Sequence, residues 1–383
     1  MTRVLILGSF GPIYLTVARS CRRQNIELYL LDVSREQGAH RKCASLLNNA
    51  IHFSPDLIGT QKGIDVLAEH VKRIDATALI ASSDKPLVWL AEHRHVFEPS
   101  CKVLVQSPES LRSLLSKCNQ LEIAAKVGFS VLPTFLLMCP EDAAQVPTTA
   151  FPLALRPSRE VDVQPCFKVQ LIKSQEHLRN FLQGFQFVHS PIIAQSFMSL
   201  PNLVVHGVRS TDGQVLASRA FLVPRKFEGV SLALESYSFP ECLEKMCIDF
   251  VARANITGCY HFEFLFSPAD KRAYFLEVNV RMGGTTDKVM QFGFDEPALL
   301  LQAYGITSST PLCTGTKRRR VVNKRALLKH ILWSAKGKLT ELDYPDVSGL
   351  RHIFYSCRDL LLAKDSIFDC RDFDGSLRFH LRK

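Results

Sequence analysis

Tryptophan is nearly absent from this chain of 383 residues, with two copies, and aromatic residues as a whole reach only 9%. No apolar run approaches the roughly 18 residues that a membrane-spanning helix requires, so no span is predicted. The opening Met1-Thr2-Arg3-Val4-Leu5-Ile6-Leu7-Gly8 holds too short an apolar run for a secretory leader and passes directly into a strand-turn pattern. Internal repeats and low-complexity segments are missing. The twelve cysteines never fall at C-x-x-C spacing, which removes support for a zinc ribbon or a thioredoxin-like redox site. They are expected to be reduced and mostly buried thiols of a cytoplasmic protein. Acid is in short supply: 37 Asp and Glu against 47 Lys and Arg leave a formal charge of +10.

What the chain does have is 46% hydrophobic residues over a length that suits two or three packed lobes of roughly 100–200 residues each. Val4-Leu5-Ile6-Leu7 is a buried-strand run, followed by a helical pattern and then by Glu27-Leu28-Tyr29-Leu30-Leu31-Asp32. Ala78-Leu79-Ile80-Ala81 and Val103-Leu104-Val105 repeat the pattern. Near-continuous apolar strands alternating with helices predict a parallel sheet covered on both faces, a Rossmann-like lobe over residues 1–110. Its Gly8-Ser9-Phe10-Gly11 turn misses the G-x-G-x-x-G spacing, and Asp32 lies too near the glycines to be the ribose acid, so a nicotinamide-dependent enzyme is disfavoured. Asp84, at the carboxyl edge of that sheet, reads as an N-cap before it reads as a substrate contact.

Beyond Ser107, a helix N-cap, the texture becomes α+β and largely antiparallel. Helical spacing runs from there through Lys117 toward Lys126, and Thr211-Asp212-Gly213-Gln214 reads as a hairpin turn. The chemistry concentrates in His261-Phe262-Glu263-Phe264-Leu265-Phe266 and, after a turn, Tyr274-Phe275-Leu276-Glu277-Val278-Asn279-Val280-Arg281. An acid inside each apolar strand needs a partner, because an isolated buried charge is costly. Antiparallel pairing would bring Glu263 to Glu277, and period-2 alternation keeps Glu277, Asn279 and Arg281 on one side. Two carboxylates and an amide oxygen make an all-oxygen ligand set suited to Mg2+ shared with phosphates. A buried ion pair with Arg281 is the plainer alternative.

Phe275-Leu276-Glu277-Val278-Asn279-Val280-Arg281-Met282-Gly283-Gly284 resembles the E-x-N-x-R signature of ATP-grasp enzymes, in the flavour of the carbamoyl-phosphate synthetase large subunit and carboxylate-amine ligases. Other landmarks fall in order over roughly residues 1–305. The resemblance implies a pre-ATP-grasp domain at 1–110 and an ATP-grasp domain at 111–310, its small lobe at about 125–195 and its large lobe at about 196–310. Residues 311–383 are left as a basic C-terminal segment and cap. It further implies ATP held by Lys117, Arg156 and the hinge Gln195, Ser196, Phe197 and Met198, with Mg2+, or Mn2+ in its place, on Glu263, Glu277 and Asn279. Arg281 would stabilise an acyl-phosphate formed from a carboxylate substrate, beside a cradle of Gly283, Gly284 and Thr285 that receives it, and an amine would displace phosphate. The family's habits add a homodimer.

Four departures stand against that pattern, the first being Val280 where the signature usually carries proline. The segment after Arg156, normally glycine-rich, runs Ser158-Arg159-Glu160-Val161-Asp162-Val163-Gln164-Pro165-Cys166 without a glycine. Ser196 follows Gln195 where the family carries Glu, and the acid for the ribose near 202–206 is replaced by Asn202 and His206. A nucleotide-binding or regulatory protein of the same fold with weakened turnover is therefore the alternative. Arg219, Arg225 and Lys226 are candidates for the cleft, whereas His206 and His261 read as core histidines. Lys317, Arg318, Arg319, Arg320, Lys324, Arg325 and Lys329 hold much of the net charge in one stretch. Without interleaved aromatics they predict a solvated face or a patch for an acidic partner, and nucleic acid is disfavoured.

Overall fold

In a computed structural model the described residues are 1–34, 49–308 and 319–381. Lys317, Arg318, Cys43 and Cys313 lie outside them. The chain begins with a five-stranded parallel sheet in the spatial order Ala50–His52, Glu27–Asp32, Arg3–Gly8, Ala78–Ala81, Lys102–Val103. Val4 and Ile6 pack under the helix Pro12–Arg23, while Leu5 and Leu7 face the helix Gln61–Ile74. Coverage of both faces explains why the central strand is apolar at every position. Asp32 accepts from the Ser34 amide at 3.0 Å and hydroxyl at 2.9 Å, closing its own turn.

Ser107 caps the helix Pro108–Leu114, accepting from the Ser110 amide at 3.2 Å. The predicted continuation to Lys126 is broken. Ser116 caps a second helix, Lys117–Lys126, by accepting from the Asn119 amide at 3.3 Å. A serine hydroxyl that satisfies a free amide favours a new helix start over an unbroken one. Lys117 thereby stands in the first turn, at the end that favours anions.

Two antiparallel sheets follow. Four strands in the order Thr134–Leu137, Ile192–Ser196, Leu153–Pro157, Gln170–Ile172 enclose a small core of their own. The larger sheet has seven, ordered Arg272–Asn279, Gly258–Ser267, Asn202–Arg209, Val215–Phe227, Val230–Ser236, Val321–Val322, Lys364–Asp365. Thr211 to Gln214 turn the chain between two of its strands, as Asp-Gly composition predicts.

The C-terminal segment extends this sheet, because Val321 and Val322 are fully buried beside Ala233 and Leu234. The described part of the basic stretch divides: Arg319 and Lys329 are exposed, as the solvated-face expectation has it, whereas Arg320 and Arg325 are drawn into the fold. Arg320 binds Glu235 at 2.5 Å and Asp359 at 2.8 Å, and Arg325 donates to the Phe379 carbonyl at 2.7 Å. Lys329 lies 4.6 Å from the centroid of the Trp333 ring. These side chains fasten the segment to itself and to the sheet. The ten described cysteines are free, but only Cys21, Cys101, Cys247 and Cys259 are buried. Cys166, Cys242, Cys357 and Cys370 are exposed, so the expectation of mostly buried thiols fails at the chain's helical and loop surfaces. Among the described residues no helix is long and apolar enough to cross a membrane.

Candidate active site

The strands Gly258–Ser267 and Arg272–Asn279 pair antiparallel with Glu263 opposite Glu277 and His261 opposite Asn279. A register shift follows Glu263, where the ladder bulges. Both acids open on a cleft of about 540 Å³ that also receives Lys117, Arg156, Asn279 and Arg281. The helix Lys117–Lys126 and the strand Leu153–Pro157 deliver the first two cations. Glu277 Oε2 lies 3.6 Å from Arg156 Nη1 and 3.9 Å from Lys117 Nζ, and its Oε1 accepts from Asn279 Nδ2 at 3.2 Å.

Glu263 is the uncompensated member of the pair. Burial, and then repulsion from Glu277, push its carboxyl up to about 7 against the pull of Arg156, Arg281 and Lys226. Two carboxylates held this way are a site that a divalent cation would relieve. Among the described residues no group of three or more His, Cys, Asp or Glu could hold a metal ion by itself. Glu263, Glu277 and the amide oxygen of Asn279 are a partial oxygen shell, which suits Mg2+ that completes its sphere with phosphate and water.

Arg281 follows the strand and meets Asp84 from the first sheet in a two-pronged pair, Nε to Oδ1 at 2.5 Å and Nη2 to Oδ2 at 2.9 Å. Burial acts against the Arg281 charge, yet Asp84, Glu277 and Glu263 hold it above its ordinary pKa. Asp84 is held below the usual carboxylate range by the same pair, although burial pulls the other way. The N-cap expected at Asp84 is instead Ser83, with Asp84 the first helical residue. Its carboxylate is thus directed at the cleft.

Beside the charged cleft lies an apolar recess of about 190 Å³, walled by Leu132, Ala154, Phe197, Met198, Leu265 and Leu276. Gln195 borders it, but its side chain is engaged, accepting from Arg156 Nη2 at 3.0 Å and donating to Thr134 Oγ1 at 2.9 Å. It positions Arg156. Ser196 donates to the Ala150 carbonyl at 3.4 Å. The Phe197 amide reaches the Pro152 carbonyl at 2.8 Å, and the Met198 carbonyl accepts from Leu200 at 3.0 Å.

Solved structures share this architecture. The N5-carboxyaminoimidazole synthase of Aspergillus clavatus, in complex with ADP and 5-aminoimidazole ribonucleotide, superimposes with a TM-score of 0.65 at 15% identity over 87% of each chain. The L-amino acid ligase of Bacillus licheniformis gives 0.63 at 13% identity, over 83% of this chain and 78% of that one. The biotin carboxylase domain of Hydrogenobacter thermophilus 2-oxoglutarate carboxylase, with MgADP, ADP and bicarbonate, gives 0.61 at 16% identity, over 80% and 70%. The fold is that of the ATP-grasp enzymes. Neither a family model nor a curated protein matches the sequence.

Within the ATP-grasp fold, the glycine-free segment is part strand. Glu160–Asp162 form a single turn, and Val163–Gln164 pair with Phe187–Val188. Glu160 from this segment and Lys168 just after it line the cleft, two contacts that nothing in the local sequence marks. Lys226 also borders the recess, near enough to Glu263 for the two charges to interact. Its Nζ donates to the Leu200 carbonyl at 2.8 Å and to Asn202 Oδ1 at 3.0 Å, and burial lowers its pKa to about 8. Arg225 turns away into the C-terminal segment, 2.9 Å from Asp359, and Arg219 donates to the Phe292 carbonyl at 3.2 Å. Alternation along one strand separates Arg225 from Lys226.

The outer side of the recess is closed by Leu342 and Tyr344 of the C-terminal segment. Backbone hydrogen bonds of 3.0 and 3.2 Å join Tyr344 to Lys226. At the other end, Gly284 and Thr285 line the cleft, while Gly283 lies against the His261 ring. His206 and His261 are both buried, with ring centroids 4.3 Å apart. His261 has no hydrogen-bond partner for either ring nitrogen, and burial, then His206 and Arg281, hold it well below the ordinary histidine pKa.

Proposed function

We propose that this chain is an ATP- and Mg2+-dependent carboxylate-amine ligase. The observation that carries the reading is the facing pair Glu263 and Glu277, with Asn279 beside them and Arg281 at one end of the same cleft. The purine would enter the apolar recess against the hinge backbone of Phe197 and Met198, and Lys117 and Arg156 would take the phosphates. Both cations already lean on Glu277, so a phosphate arriving between them meets preassembled positive charge. Mg2+ on Glu263, Glu277 and Asn279 would neutralise phosphate oxygens during transfer.

A substrate carboxylate seated near Arg281 and the Gly283–Thr285 turn would attack the γ-phosphorus. The terminal phosphoryl group passes to the carboxylate oxygen, ADP departs, and an acyl-phosphate remains. An amine then attacks the acyl carbon and expels phosphate. The residues supply position and charge, as phosphoryl transfer requires. The two-pronged Asp84 contact fixes the Arg281 guanidinium in one orientation.

The test is ADP and phosphate release from Mg-ATP across a panel of carboxylates and amines. Release that depends on both partners supports the ligase, and it should vanish in a Glu277→Ala, Asn279→Ala double variant. Full activity in that variant would overturn the assignment. The pairing of Val163–Gln164 into a short ladder, where a glycine-rich lid would be free to close, favours a second reading as a nucleotide-binding or regulatory protein. Calorimetry separates the two, because Mg-ATP binding without ADP formation on any of the panel supports the second.

A further inference from the structure

Behind the cradle lies a chain of polar groups that neither phosphoryl transfer nor nucleotide binding uses. His206, on the strand Asn202–Arg209, places Nδ1 2.6 Å from Glu296 Oε1 and Nε2 2.7 Å from Thr285 Oγ1. Glu296 and His206 are fully buried and Thr285 nearly so, yet Thr285 lines the cleft. The second Glu296 oxygen accepts the Thr286 hydroxyl.

Hydrogen-bond supply fixes the direction of this chain. With Glu296 ionised and the His206 ring neutral, the proton on the Glu296–His206 bond sits on Nδ1, and Nε2 offers its lone pair. The Thr285 hydroxyl therefore donates inward to Nε2. Its oxygen keeps its own lone pairs, with no other protein partner among the described residues. The groups that face His206 are Glu296 and Thr285, the His261 ring from one neighbouring strand, and Arg219, directly opposite in the register, with the Phe221 ring from the other. Of these, Glu296 is the group that can balance a positive charge on the imidazole.

We infer that Thr285, His206 and Glu296 form a proton relay that deprotonates the attacking amine; the inference rests on the ligase reading. An ammonium group entering the cleft donates to Thr285 Oγ. One proton passes to that oxygen as the Thr285 proton moves to His206 Nε2, and the new imidazolium is balanced by the Glu296 carboxylate. The freed amine attacks the acyl carbon, the C–N bond forms, and the C–O bond to phosphate breaks. The electron pair leaves with phosphate, which takes the surplus amine proton. The acceptor group is an acid–histidine–hydroxyl array of the kind that activates nucleophiles elsewhere, used here to receive a proton.

The relay predicts a split between nucleophiles. Ammonia is mostly ammonium at neutral pH and needs the relay, whereas hydroxylamine is already neutral and does not. Mg-ATP, a panel of the standard amino acids, C2–C6 dicarboxylates and bicarbonate, and either ammonia or hydroxylamine at pH 7 provide the assay. Thr285→Val and His206→Phe should lower transfer to ammonia by about 100-fold or more, the scale of general-base catalysis. In both variants the ratio of transfer to ammonia over hydroxamate formation should fall by that factor, whatever acid binding Thr285→Val itself loses, and Thr285→Ser should restore the ratio. If His206→Phe does not fold, the near-isosteric Thr285→Val decides. Equal losses with both nucleophiles, or no loss with ammonia, would overturn the relay while leaving the ligase intact. A wild-type chain that releases no ADP with any acid overturns the ligase reading, and the relay with it.

Discussion

Glu263 stands directly opposite Glu277 across two antiparallel strands, and of the two only Glu277 has a lysine and an arginine nitrogen within 4 Å. The asymmetry has a thermodynamic signature. The carboxyl of Glu263, at 4.5 ordinarily, is held at about 7 in the folded chain, so the native state keeps a proton that the unfolded state has released. Stability then falls as pH rises between those two values, with the full contribution present below the lower one.

The midpoint of thermal unfolding without divalent cations should therefore drop as pH is raised from about 5 to about 8. Glu263→Gln should flatten that slope, because an amide does not titrate. Saturating Mg2+ should flatten it as well, by favouring the ionised pair. A slope unchanged in the glutamine variant would mean that Glu263 is not the group responsible.

That pair was legible in the sequence for a local reason. Glu263 and Glu277 flank one short turn, and period-2 alternation places Asn279 on the face of Glu277. The β-α-β order of the first hundred residues is similarly local. Asp84 and Arg281 are 197 positions apart, and the strand pattern around each says nothing about the other. Tyr344 reaches Lys226 only because Val321 and Val322 add a strand to the large sheet and bring the later segment back across it. Gln195 was placed in the hinge at the nucleotide, and nothing in the sequence marks that its side chain is held by Arg156, whose position on the neighbouring strand depends on sheet register. Periodicity reveals which face a residue occupies. It does not reveal which distant loop will cover that face.

The C-terminal segment should prove essential to stability through one buried ion pair. Arg225 and Asp359 lie 2.9 Å apart with both side chains 3% exposed, and Ser356 accepts a further bond from Arg225 at 2.7 Å. Asp359→Ala would strand the guanidinium, at a cost of about 3–5 kcal/mol. Arg225→Met combined with Asp359→Leu should recover part of that loss, since apolar groups of similar volume replace the pair while Arg320, which also binds Asp359, keeps Glu235. Denaturant unfolding of the two variants provides the check, and a double variant as unstable as the single one would contradict it.

Gly283 should resist even a methyl group. A Cβ there would stand 2.5 Å from His261 Nδ1 and 2.8 Å from its Cγ, and the ring cannot retreat because it is buried against His206. Gly283→Ala should cost about 1–3 kcal/mol as an overpacked site. Gly284→Ala, with nothing within 4 Å of the added carbon, should be nearly neutral in stability. Thermal unfolding of the two neighbours distinguishes steric demand at one position from a general need for glycine in the turn.

Nucleotide affinity should carry the titration of Lys226. Burial brings its ammonium down to about 8, with Glu263 pulling the other way, and Nζ sits at the junction of the apolar recess and the charged cleft. The folded chain then binds fewer protons than the unfolded chain between about 8 and the ordinary lysine value of 10.5, so this group makes folding more favourable as pH rises through that window. Binding of a polyanion works in the opposite sense, because it needs the charged ammonium that is lost there. Calorimetric affinity for Mg-ATP should accordingly weaken as pH rises past about 8, while thermal stability of the free protein does not weaken on account of Lys226. Lys226→Arg keeps its charge throughout and should remove the decline in affinity. Lys226→Met should show the weaker affinity at every pH and no inflection. An inflection that survives in both variants would place the titrating group elsewhere.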